Sequence, residues 1–215
     1  GGTPVWTRGL ATLLELGADG GVIVGGYRGE RAEERHGKTF RGLDTSCAPQ
    51  AGRDGLAHAV LAAGDHIDSD VVVLNGDNIY AANLTAVVER HATMDADITF
   101  PVEEVSPDAA TRGAVCELDA DGRVTGLVEK PEDPPSTLVP AACYVLPPAI
   151  VPACRIVRPS ARGEYELPDT IDLLIHAGYS VETVPFEGWK VNVNTERDIE
   201  RAEQRLSQAN DDAGE

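Results

Sequence analysis

No apolar run in the 215-residue chain approaches the roughly 18 residues a membrane-spanning helix needs. The start shows no basic stretch leading into an apolar segment, so no secretory leader is expected. Basic charge is scarce, with 18 basic residues against 36 acidic ones and a net charge of -18. Phosphate-backbone binding needs a basic footprint, so nucleic acid is excluded as a partner. Lysine is nearly absent: only Lys38, Lys130 and Lys190 occur, and the other basic residues are Arg. An acid excess spread along the chain, with few lysines, suits a salt-rich cytoplasm. At molar salt the Debye length falls to about 3 Å and self-repulsion is tolerable. The four cysteines, Cys47, Cys116, Cys143 and Cys154, form no CxxC pair and no metal-ligand spacing. They read as free thiols in a reducing compartment, hence a cytoplasmic protein.

What is present alternates between apolar strands and helices. Leu10 to Leu16 has a helical apolar pattern ended by Gly17, and Gly21 to Val24 is a short strand. A charged helix is expected over Arg28 to His36 and a helix of small residues over Gly55 to Ala63. Val71 to Leu74 is a β-branched run without polar alternation, as a buried parallel strand requires. Asn83 to Met94 reads as a helix and Asp97 to Val102 as the next strand. A hairpin follows over Ala114 to Val128, turning at Asp121-Gly122. Leu138 to Leu146 reads as one strand, Leu167 to Ala177 as a helix capped by Gly178, and Val181 to Phe186 and Lys190 to Val193 as strands. Thr195 to Gln208 is a charged closing helix, with Glu196 and Asp198 in its first turn, where acids are favoured. This pattern predicts a three-layer α/β sandwich with a mostly parallel, twisted, Rossmann-like sheet. A single domain over residues 1–208 and a disordered acidic tail over 209–215 complete the expectation.

Four places carry candidate chemistry. Val71 to Leu74 runs into Asn75-Gly76-Asp77-Asn78, and ligands of open parallel sheets bind beyond the carboxyl ends of strands. Asp77 there can reach Mg²⁺ held between protein oxygens and phosphates, or it can simply form a turn. Gln50, followed by Gly55-Leu56-Ala57, offers an amide to a base edge and a glycine for close approach, or a plain helix start. His58 in that segment reads as a packed helix residue, because spacing places no acid beside it. Glu129-Lys130-Pro131 offers an acceptor for sugar hydroxyls and a point charge for phosphate, or a surface ion pair. Asn192 and Asn194 share a strand face before the N-cap Thr195, and either can donate a carbonyl oxygen to a metal.

The order of these motifs resembles the sugar-1-phosphate nucleotidylyltransferases, in particular the thymidylyl and uridylyl members. Gln50 with Gly55-Leu56-Ala57 is similar to the family's base-reading segment. Leu74-Asn75-Gly76-Asp77 is similar to its metal-binding Gly-Asp, and Glu129-Lys130-Pro131 to its sugar- and phosphate-binding Glu-Lys-Pro. Ser160 to Leu167 resembles the Arg-Gly-Glu-Tyr-Glu segment, and Trp189 to Thr195 the segment of the second metal ligand. The resemblance covers about Gly2 to Leu206. It implies the reaction of a nucleoside triphosphate (dTTP or UTP) with a sugar-1-phosphate, giving a nucleotide sugar and pyrophosphate. It implies Asp77 and Lys130 as catalytic, Asp77 and Asn192 as Mg²⁺ ligands, and Gln50, Gly55, Leu56, Glu129, Ala142 and Gly163 as substrate-binding. Partners are then the two substrates, with no membrane, and association of copies is compatible.

The departures are informative. The family's opening strand and Gly-rich triphosphate loop are not found in the sequence, and Gly1 to Pro4 looks like the segment just after them. A truncated chain is therefore expected, with an exposed edge or a central gap in the sheet. Gly25-Gly26-Tyr27-Arg28 is only superficially similar to the loop. Leu56 stands for a usual Thr, Ala142 for a Gly beneath the sugar, and Asn192 for the Asp of thymidylyl members. The alternative reading is a non-catalytic, sugar-nucleotide-binding or regulatory member of the same fold.

Overall fold

The computed structural model describes residues 4–25, 37–52 and 54–212, without the side chains of 209–212. The helix expected over Arg28 to His36, and Gly26 to Arg28, lie outside these residues.

Helix α1 (Trp6–Glu15) buries Leu10 and closes at Gly17, whose φ of 78° allows the left-handed turn. It starts four residues before the expected Leu10. Strand β1 (Gly20–Gly25) runs parallel to β3 (Leu43–Pro49), which also pairs antiparallel with the short β2 (Thr39–Phe40). Neither β2 nor β3 is announced by alternation in the sequence. Helix α2 (Leu56–Ala62) follows.

The central sheet contains β4 (Val71–Leu74), β6 (Ile98–Glu104), β10 (Cys143–Leu146) and β11 (Val181–Pro185), in the order β11-β6-β10-β4, with β9 (Leu138–Pro140) on the end of β6. β11 is parallel to β6, whereas β10 lies antiparallel between β6 and β4. The α/β architecture is as expected, but the sheet is mixed rather than mostly parallel. The apolar run Val71–Leu74 is half-buried and pairs antiparallel. A β-branched run reports that a strand is covered on both faces, and carries no information on the direction of its neighbour. The single strand expected over Leu138 to Leu146 is two, because Ala142 adopts φ 58° and breaks it.

Alternation assigns the layers. Ile98, Phe100 and Val102 point to one face with Tyr144 and Leu146, against α2, α5 (Ile150–Ile156) and α6 (Leu167–His176). Cys143 and Val145 point to the other face, against Leu84 and against Val87 of α3 (Thr85–Met94). Thr99 on that face meets the buried His91, which also reaches Asp70, so this histidine is a satisfied structural residue. The hairpin of β7 (Ala114–Leu118) and β8 (Val124–Glu129) forms as expected, its turn held by Asp119 Oδ1 accepting from the Asp121 and Arg123 amides. The one-turn α4 (Pro107–Ala110) precedes it.

A ribbon of β5 (Asn78–Ala82) and β12 (Gly188–Asn192) carries α7 (Glu196–Asp212) through Ile79, Val191 and Ala202. Thr195 and Asp198 cap α7 reciprocally: Asp198 Oδ2 accepts from the Thr195 amide and Thr195 Oγ1 from the Asp198 amide. α7 continues to Asp212, past the expected start of a disordered tail. Cys116, Cys143 and Cys154 are buried free thiols, and Cys47 is half-buried in β3.

β1 and β4 each have a neighbour on one side only among the described residues. Between them lies a cavity of about 890 Å³ lined by Leu10, Val22, Val24, Val71 and Val73, with Gly76 at its rim.

Candidate active site

Two clusters of polar side chains stand at strand ends. The first joins the ends of β3 and β8 to the segment before α6. Gln50 follows β3, and its amide nitrogen lies 3.0 Å from the Gly55 carbonyl and 3.3 Å from His58 Nδ1. Gly55 has φ 104°, and a Cβ there would lie 2.7 Å from the Tyr165 nitrogen and closer still to its oxygen. The glycine is therefore required by close backbone approach. The Tyr165 amide donates to Asp54 O at 2.7 Å, and the Ala57 amide donates to Tyr165 O at 2.9 Å. These bonds tie the start of α2 to the segment that carries Arg162. His58, expected to be an ordinary packed residue, has Asp54 Oδ2 at 3.7 Å and the Gln50 amide beside it.

Arg162 is the residue missing from the sequence-based candidates. Its guanidinium lies 2.6 Å from Glu166 Oε1, 3.3 Å from Glu129 Oε1 and 3.6 Å from Glu164 Oε2. Lys130 Nζ lies 3.4 Å from the same Glu129 oxygen. Burial raises the Glu129 pKa and the Glu166 carboxylate adds to it, while Lys130 and Arg162 pull it back. Lys130, Arg162 and Glu164 are solvent-accessible, while Glu129 and Glu166 lie deeper beneath the two cations. Lys130 has φ 47°, an uncommon backbone state for a residue with a side chain. Gly163, expected to contact substrate, is at the tip of an exposed turn closed by its amide on Ser160 O, and a Cβ added there would meet nothing within 4 Å. The motif identifies the right segment, and the side chain that reaches the site is the neighbour of Gly163.

The second cluster surrounds Asp77 at the end of β4. The Val193 amide donates to Asp77 O at 2.8 Å, and Asn78 and Asn192 are paired residues of β5 and β12. Asp77 and Asn192 therefore adjoin. Asn194 Nδ2 donates to Asn192 Oδ1 at 2.8 Å, which gives Asn194 the part of orienting its neighbour. Asp77 is exposed and has no ion pair among the described residues, yet partial desolvation raises its pKa. Tyr80 donates to Ala142 O at 2.5 Å and receives a bond from Asn78 Nδ2 at 3.1 Å. This ties the left-handed Ala142 through Tyr80 to Asn78, the residue after Asp77. The side-chain oxygens of Asn75 and Asn78 are buried without a partner. An unpaired carboxylate, an amide oxygen and two orphaned oxygens are hard donors that fit Mg²⁺, which takes one or two protein oxygens and completes its shell with phosphate and water. No cluster of three His, Cys, Asp or Glu occurs among the described residues. Tyr144, buried between the clusters, feels both Tyr80 and Glu129. Leu56 packs into the core at the start of α2.

The chain is similar to known proteins in sequence and in fold. A family model described as "Nucleotidyl transferase" matches residues 1–208. The chain is 42% identical over 214 residues to the UTP–glucose-1-phosphate uridylyltransferase AglF of Haloferax volcanii, covering all of this chain and 88% of that protein. It is 36% identical over 192 residues to a glucose-1-phosphate thymidylyltransferase of Streptomyces antibioticus, covering 87% of this chain and 53% of that one. The chain thus spans about half the length of the thymidylyltransferase. A crystal structure of UDP-glucose pyrophosphorylase complexed with UDP-glucose has a similar fold, with a TM-score of 0.84 at 18% identity, over 96% of this chain and 88% of that one. The match over nearly the whole chain, together with the identity to the Haloferax protein, shows that this chain belongs to the nucleotidyl transferase family.

Proposed function

We propose that the protein joins a uridine or thymidine triphosphate to a sugar-1-phosphate, forming a nucleotide sugar and releasing pyrophosphate. The observation that carries this reading is the 42% identity to a UTP–glucose-1-phosphate uridylyltransferase along the full length of the chain. A sugar-phosphate oxygen attacks the α-phosphorus in line, the bond to the β-phosphate breaks, and its electrons leave with pyrophosphate. Positioning and charge neutralisation suffice for such a displacement.

In this reading Gln50 and the backbone at Gly55 and Leu56 hold the base. Glu129 accepts hydrogen bonds from sugar hydroxyls, with Ala142 beneath the ring and the turn at Gly163 at its edge. Lys130 neutralises the sugar phosphate. Asp77 and Asn192 hold Mg²⁺, which when bound offsets negative charge on the reacting phosphates. The net charge of -18 opposes binding of two polyanions, so local cations must outweigh the global field. The acidic surface and the halophilic source of the relative support work at high salt. The buried free thiols of Cys116, Cys143 and Cys154 support a reducing, cytoplasmic setting.

A second reading, a sugar-nucleotide-binding protein without turnover, has one observation in its favour. The cavity between β1 and β4 reaches Gly76, the residue before Asp77, so that side is not closed by a strand among the described residues. The test is pyrophosphate release at molar KCl with Mg²⁺, glucose-1-phosphate and UTP or dTTP. Turnover supports the transferase. Binding of UDP-glucose without pyrophosphate release supports the second reading.

A further inference from the structure

We infer that His58 is a positioning residue that sets the hydrogen-bonding character of Gln50 and thereby the choice of base; the inference rests on the reading of Gln50 as base-binding. The Gly55 carbonyl is an acceptor only, and it lies 3.0 Å from the Gln50 amide nitrogen. Turning the amide over would oppose two acceptors, so this carbonyl decides which end of the amide is which. The same nitrogen lies 3.3 Å from His58 Nδ1. That ring atom then accepts, with the imidazole proton on Nε2, since Asp54 Oδ2 at 3.7 Å is too far from Nδ1 to take a hydrogen bond from it. Both N–H groups of Gln50 are consumed by these two bonds. Its Oε1 makes no hydrogen bond among the described residues and is the one polar group left to meet a ligand.

An amide locked in this way presents an acceptor and no donor. A uracil or thymine ring has a single donor on its pairing edge, the imide N3–H, flanked by two carbonyls. Cytosine has an acceptor at that ring position. Gln50 aimed at the ring nitrogen by Gly55 and His58 therefore admits uracil and thymine and repels cytosine. Without His58, one amide N–H is released, the side chain gains freedom, and the discrimination relaxes.

The experiment compares kcat and KM for UTP and CTP, at saturating glucose-1-phosphate and Mg²⁺, in the wild-type protein, His58→Leu and His58→Asn. The expected wild-type preference for UTP is about tenfold or more, the worth of one base-edge hydrogen bond. His58→Leu should bring the two nucleotides within about threefold of each other, mainly through KM, with kcat for UTP kept. His58→Asn, whose side-chain oxygen supplies an acceptor near the Nδ1 position, should restore the preference. An unchanged ratio in His58→Leu, or no restoration in His58→Asn, overturns the role of His58 while leaving the transferase intact. Absence of turnover with both nucleotides in the wild-type protein overturns this inference together with the proposed function.

Discussion

Replacing Gly55 by Ala tests whether the base end of the site depends on close backbone approach. Gly55 has φ 104° and ψ 176°, a region open essentially to glycine alone. Holding a side chain there costs about 1–3 kcal/mol. The added Cβ also overlaps the Tyr165 backbone, so the chains must separate. That places at risk two hydrogen bonds, Ala57 N–H to Tyr165 O and Tyr165 N–H to Asp54 O, each worth about 0.5–1.5 kcal/mol. The sum is about 2–6 kcal/mol, centred near 4. Gly163 is the control: its φ of 79° is also positive, but nothing lies within 4 Å of an added Cβ. Gly163→Ala should cost only about 1–2 kcal/mol. At roughly 2–4 °C per kcal/mol for a chain of this size, thermal melts should fall by about 8–16 °C for Gly55→Ala at the central value of about 4 kcal/mol (about 4–24 °C over the whole range) and by about 2–8 °C for Gly163→Ala. Gly55→Ala should also raise KM for the nucleotide more than KM for the sugar phosphate, because the Gly55 carbonyl holds Gln50. Equal melting shifts in the two variants would refute the argument, since backbone strain alone would then account for both.

Three other outcomes are expected. Glu129 has a raised pKa, so the folded state holds its proton more tightly than the unfolded state. Its contribution is fully present below the ordinary Glu value of 4.5 and is lost as pH rises through the raised one. Urea midpoints of Glu129→Gln should therefore fall less steeply than wild type as pH rises through that window; an unchanged slope would contradict it. Asp77→Asn should melt no lower than wild type in metal-free solution at neutral pH, because an ionised, partly desolvated carboxylate is removed. It should also lose turnover and the Mg²⁺-dependent rise in melting temperature. A full Mg²⁺ shift in that variant would remove Asp77 from the metal site. Finally, with a net charge of -18, the wild-type midpoint should climb between about 0.1 and 2 M KCl as the Debye length falls from about 10 Å towards 2–3 Å. A flat melting curve across that range would count against salt adaptation.

Local features were legible in the sequence because they depend on neighbours a few residues away. The hairpin turn at Asp121-Gly122, the Thr195 cap, the stop at Gly178 and the apolar run Val71–Leu74 are all of this kind, and all are found in the structure. The loop-end positions of Asp77 and Glu129 followed from strand ends, whereas Gln50 was singled out by motif order alone, because the strand before it carries no alternation. Pairing was another matter. β10 lies antiparallel between β6 and β4, and β5 pairs with β12 across more than a hundred residues; strand sequences specify faces, while the partner is selected by how the whole sheet closes. The site shows the same division. Arg162 reaches Glu129 from 33 residues away, and Tyr80 reaches Ala142 from 62. His58 was within reach of a sequence reading, with Asp54 four residues before it, but only the glycine-enabled turn at Gly55 brings its ring onto Gln50. The sequence by itself determined which residue types stand at which strand ends. The tertiary structure decided which of them share a hydrogen bond, because that requires backbone segments distant along the chain to approach within about 3 Å.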